Sequence, residues 1–248
     1  MTQHHRDGTA LSLRPRRVLI RVALFCCCAA VLTLSRAGAL DTRVFSKGTN
    51  NIVASPSGMV VYSSASRTTR PLVLDETATR DSIVDVVESE EQLWVLTNRD
   101  LYRVDMATLT VERIGFPGSD ARTGRVAADY DYIWIARGDT LRQYDRLGRE
   151  YLAYAVPADL AGRATLGATS NEDQVFVATP RGCLAFSVLD ETWKLHRYTG
   201  EPFSPRTRHV AEAEGLLLVD GQRLVRFSMD DETFETLTTP GIVSDVAV

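Results

Sequence analysis

The sequence predicts an all-β chain, a β-propeller of about five four-stranded blades, and three observations lead there. A motif of short strands recurs: Trp94, Trp134, Phe176 and Leu217 stand 40, 42 and 41 residues apart. Two further positions keep step with these anchors. Seven residues on lies Leu101, Leu141, Cys183 or Leu224, and eleven on lies Asp105, Asp145, Ser187 or Ser228. The runs between turns alternate apolar and polar and are rich in Val, Thr, Tyr and Trp, which is the period and composition of strands. No run of helical period follows residue 40. A repeat of this length built from strands is the signature of a propeller.

Taken in order, the first unit runs from Thr42 to about Arg80, with strand A at 43–45 and Ile52 as its anchor. Met59 and Ser63 hold the same offsets from Ile52. In later units strand A is apolar, as at 83–87 and 124–128, and strand B carries the anchor at 92–97, 132–137 and 174–179. Strand C is read at 101–105 and 141–145, and strand D at 109–116 and 150–156. Turn residues separate them: Asn98 to Asp100, Gly138 and Asp139, Pro180 to Gly182, Asp220 and Gly221. One four-stranded sheet cannot bury both faces, so blades must cover one another, and the anchors read as packing between blades. A ligand cage of aromatics is the rival reading of that series. At the end of the chain, 242–248 resembles another strand A. It would close a five-bladed ring with the first blade, or else begin the missing part of a longer propeller, which leaves edges open.

Residues 1–17 are polar and basic, 22–34 are apolar, and Ala37, Gly38 and Ala39 precede Leu40. This is the layout of a secretory signal peptide over 1–39, followed by a propeller domain over 40–248. The apolar run is short for a membrane span; the alternative is an N-terminal anchor in the inner membrane, with Arg21 at the interface. A periplasmic or secreted location follows. Cys26, Cys27 and Cys28 lie within the leader, and bulky Phe25 disfavours a lipidation site. Cys183 is the one cysteine beyond it, so no internal disulfide forms, and it reads as a small buried hydrophobe. Without 1–39 the chain carries 22 Lys and Arg against 31 Asp and Glu, a net charge of −9. That excludes nucleic acid and anionic lipid as main partners.

Candidate chemistry is sparse. His196 and His209 are the histidines of the propeller, and their surroundings in sequence hold no zinc-ligand spacing, phosphate loop or nucleophile elbow. No metal, cofactor or catalytic residue is expected. Asp190 with Glu191, and Asp231 with Glu232, look like paired acidic ligands but read as shared turn geometry. Arg99, Arg137, Arg181 and Arg223 each lie in or beside a strand B to C loop, so they share one end of a propeller. A planar guanidinium suits carboxylate or phosphate, and the four form a candidate arc for a small anion. The segment 199–207, with Pro202, Phe203 and Pro205, is expected to expose an aromatic between prolines as a protein contact.

The runs 91–97 with 101–105, and 133–135 with 141–145, resemble the repeats of periplasmic sensor propellers in two-component regulators. They are also similar to streptogramin-lyase-like propellers. The resemblance spans residues 42–248 at the level of the repeat and implies fold rather than activity. A lyase of that kind implies a histidine on the propeller face; His196 and His209 stand in no matching motif, so catalysis is not carried over. The expectation is an exported, non-catalytic propeller that binds a protein of the cell envelope. Its alternatives are a sensor for a small anion and, last, a lyase-like enzyme.

Overall fold

The structure is a computed structural model that describes residues 42–75, 81–116, 124–160, 165–212 and 214–237. Residues 1–39, expected to be a leader, and the run 242–248 lie outside the described residues. Five sheets of four antiparallel strands follow one another along the chain. The first is β1 (Arg43–Lys47), β2 (Asn50–Ser55), β3 (Gly58–Ser63) and β4 (Thr68–Leu72). The second is β5 (Ile83–Ser89), β6 (Gln92–Thr97), β7 (Leu101–Asp105) and β8 (Val111–Arg113). The third is β9 (Arg125–Ala128), β10 (Tyr132–Arg137), β11 (Thr140–Asp145) and β12 (Tyr151–Ala155). The fourth is β13 (Gly167–Ser170), β14 (Gln174–Thr179), β15 (Gly182–Ser187) and β16 (Thr192–Arg197). The fifth is β17 (Arg208–Glu212), β18 (Gly215–Asp220), β19 (Arg223–Ser228) and β20 (Thr233–Leu237). The chain is thus a propeller of five blades, as its repeat predicts. Strand D of the second blade is shorter than its apolar run suggests.

Register confirms that the anchors are equivalent. Ile52, Trp94, Trp134, Phe176 and Leu217 pair inward with Phe45, Val87, Ala127, Thr169 and Val210. Outward they pair with Val61, Arg103, Gln143, Ala185 and Arg226. Each inward partner lies seven residues before its anchor and each outward partner nine after. The aromatic anchors are fully buried and pack across blades. Trp94 meets Tyr144 at 6.0 Å between ring centroids, Trp134 meets Phe186 at 6.2 Å, and Phe176 meets Phe227 at 5.5 Å. The partner always stands ten residues past the next blade's anchor. These rings cover apolar area and add tilted and edge-on ring contacts, which is what joins one sheet to the next.

The position eleven after the anchor is a turn cap. Asp105 accepts from the amides of Ala107 and Thr108, and Asp145 from those of Leu147 and Gly148. Ser187 and Ser228 accept from Asp190 and Asp231. Four residues later every C to D turn passes through a positive φ, at Arg67, Leu109, Arg149, Glu191 and Glu232. The Asp-Glu pairs therefore belong to a turn that recurs in every blade, as short polar side chains favour. Cys183 is buried, and burial pushes its thiol up, away from the reactive thiolate.

Candidate functional site: the axis and the loop end

Strand A is the innermost strand of each blade, and at its start the blades converge on one polar cluster. A β-bulge between Ile83 and Asp85 turns the Asp85 carboxylate into it. Asp85 is 1 % exposed and accepts from the amides of Val86 and, across the blade boundary, Val126. Arg43 reaches it at 3.1 Å and also donates to the Val86 carbonyl. Arg125 donates through Nε to the Leu166 carbonyl at 2.9 Å. The Leu166 carbonyl also faces the His209 ring, whose Nε2 lies 3.3 Å from Arg43 Nη2. An arginine only donates, so Nε2 accepts and the imidazole is neutral, with its proton on Nδ1. The polar contacts pass from the first blade through the second, third, fourth and fifth and back to the first.

Burial pushes the His209 pKa down to about 3, against the pull of Asp85. Room for its ring comes from Gly167, where an added Cβ would lie 2.7 Å from His209 Cγ. Sequence reasoning missed this cluster although a signal was present. Arg43, Asp85, Arg125 and Gly167 each stand nine residues before an anchor. In the fifth copy Arg208 holds that place, and its neighbour His209 turns inward instead.

The four loop arginines do not form a common free arc. Arg137 is buried, donates to the Thr97 carbonyl at 2.8 Å, and lies over the Phe116 ring. Arg223 is half-buried, ion-paired with Asp220, and bound to the carbonyls of Glu201 and Pro202. Arg99 pairs with Asp81 at 3.3 Å, and Arg181 is exposed. Arg137 and Arg223 thus hold neighbouring segments together. Phe203 corrects an expectation: it is buried, stacked on Tyr198 at 4.7 Å between centroids, while Pro202 and Pro205 stay exposed. A hydrophobic ring beside the end of a blade gains more by capping the core than by facing water. The segment 199–207 is a lid over the fourth and fifth blades, and Arg223 pins it.

An open depression of about 490 Å³ runs between β16 and β20, past Tyr198, Glu232 and Phe234. His196 lies beneath it, with Nε2 at 3.9 Å from Glu232, whose carboxylate is taken by Lys194. Burial lowers the His196 pKa, and the Lys194 hydrogen bond lowers that of Glu232. Among the described residues no group of three or more His, Cys, Asp and Glu side chains is placed to hold a metal ion.

No protein-family model matches the chain, and no curated protein is similar to it in sequence. Similarity appears at the level of structure. The extracellular domain of the hybrid two-component system BT4673 from B. thetaiotaomicron superposes with a TM-score of 0.58 at 12 % identity, covering 82 % of this chain. PorZ, a bacterial surface component of the type-IX secretion system of Porphyromonas gingivalis, gives 0.57 at 12 % identity over 84 %. This chain spans 28 % of the length of each. A chain of the S. cerevisiae complex of Dbp5 with Nup159 and Gle1 gives 0.53 at 9 % identity, covering 78 % of this chain and 61 % of its own. A fold found in such different settings is shared architecture and does not carry an activity with it.

Proposed function

We propose that the chain is an exported, non-catalytic propeller serving as a protein-interaction module of the cell envelope. One observation carries this reading. The ionisable groups at the axis, Arg43, Asp85, Arg125 and His209, are bound to one another and to backbone, and His209 is held neutral. They join blades, and the disc meets its surroundings through turns and loops at its two ends. The likeness to extracellular domains of a sensor and of a secretion-system component supports the same compartment. So does the leader-like segment 1–39. A reporter enzyme active only outside the cytoplasm, fused after Val248, is expected to be active, with a mature N-terminus at Leu40. An inactive reporter overturns export; activity with an uncleaved N-terminus replaces the signal peptide with an anchor.

The sensor reading keeps one specific support, the exposed Arg181 on its loop. On that reading inorganic phosphate or citrate raises the melting temperature by several degrees, and Arg181→Ala abolishes the rise. An unchanged melting temperature in the wild-type chain removes it.

A further inference from the structure

In each antiparallel blade the A to B and C to D turns lie at one end and the B to C loops at the other. Cross-blade contacts keep the ends in step: Arg146 of a C to D turn pairs with Glu90 of the neighbouring A to B turn. Thirteen residues after the anchor, at the tip of each C to D turn, the blades carry Ala65, Ala107, Leu147, Leu189 and Asp230. Alanine or aspartate serves this turn equally well, so nothing in the fold requires leucine there. Yet Leu147 is 88 % exposed and Leu189 is 89 % exposed, on adjacent blades. Tyr130, on the A to B turn beside Leu147, is 73 % exposed. Arg146 binds the Tyr130 carbonyl at 2.9 Å, which sets these two tips side by side. Scattered single leucines on a surface need no explanation. Large apolar side chains grouped at one end of neighbouring blades mark an interaction surface.

We propose that the turn end of the third and fourth blades is a docking surface for a protein whose contact face is basic and carries apolar side chains. This rests on the interaction-module reading. The exposed apolar tips make the contact, and the charges around them select the occupant. Asp131, Glu172, Asp173, Asp190 and Glu191 belong to the same turns. The basic side chains within reach are engaged: Arg146 with Glu90, and Arg149 with Glu112 at 3.2 Å. A second copy of the chain would set acid against acid, and an anionic lipid or nucleic acid would be repelled. A basic face is attracted, with a strong dependence on salt. Covering two leucines and a tyrosine supplies the apolar centre that a polar rim alone lacks.

The test places a photo-crosslinking residue singly at Leu147, Leu189, Val73 and Arg181 of the full chain in intact cells. The last two lie at the opposite end of the disc. Expected are adducts from positions 147 and 189 to one protein, identified by mass spectrometry, whose crosslinked surface is basic. Glu172→Lys with Glu191→Lys should remove them. With that protein purified, Leu147→Ser with Leu189→Ser should weaken binding at least tenfold. These side chains are exposed, so the melting temperature should stay unchanged. Adducts from positions 73 or 181 alone overturn this surface and leave the interaction reading standing. Adducts to a second copy of the chain, or to an acidic surface, also overturn it. No adduct from any position sinks both.

Discussion

Asp85→Ala is expected to cost roughly 3–5 kcal/mol, the range for removing one partner of a buried ion pair. The carboxylate is 1 % exposed, and its loss strands three groups in three places. The Val126 amide loses its acceptor across the second and third blades. The Val86 amide loses its local partner. Arg43 keeps the Val86 carbonyl and the His209 ring but loses its counter-charge. Its side chain is 29 % exposed, so water compensates part of that charge and places the expected value toward the lower end. Asp85→Asn retains an acceptor for one amide and should cost less, about 1–3 kcal/mol. Denaturant unfolding of the three proteins measures this. Equal stabilities would mean that the axial contacts do not join the blades.

Acid is expected to destabilise the fold well before ordinary carboxylates titrate. His209 has a pKa of about 3 when folded and about 6.5 when unfolded. Between those values the unfolded chain binds the extra proton, so stability rises with pH and is lost as pH falls below about 6.5. Above that pH neither state is protonated and the contribution is flat. The limiting slope is about 1.4 kcal/mol per pH unit for one such group. The groups facing the ring set this sign. Arg43 and Arg125 oppose a second positive charge, and burial opposes it most, while Asp85 favours it. His196, also lowered by burial, adds to the slope in the same direction. His209→Gln should flatten most of the stability change between pH 6.5 and 5, whatever its effect at pH 8. A slope unchanged by His209→Gln would show that the imidazole takes up its proton as readily in the folded chain as in the unfolded one.

The blade was legible because each of its positions has a local cause. An anchor must be buried, a turn needs a cap, and a strand alternates, so Trp134, Asp145 and their counterparts return at constant offsets. Even the Asp-Glu pairs yielded to this logic, since Glu191 and Glu232 occupy the left-handed position of a turn found in all five copies. The loop arginines resisted it. Arg99, Arg137, Arg181 and Arg223 lie in or beside the same loop of the repeat, but what each can bind depends on neighbours from other segments. Thr97 and Phe116 claim Arg137, and the 199–207 segment claims Arg223. Phe203 resisted for the same reason. Two flanking prolines suggest an exposed loop, and only its contact with Tyr198 reveals a buried ring.

The sequence by itself determined the strand order within each blade, the spacing of the repeat and the burial of the anchors between blades. These follow from period, turn chemistry and burial, which act within about 40 residues. Only the tertiary structure decided which side chains meet at the axis and which tips face water. Arg43 and His209 lie 166 residues apart along the chain. Leu147 and Leu189 hold turn positions that a small or polar residue fills elsewhere. Such placements depend on how blades stack: the repeat marks the axial and tip positions by their offsets, but which residue each side chain meets there is set by the neighbouring blade.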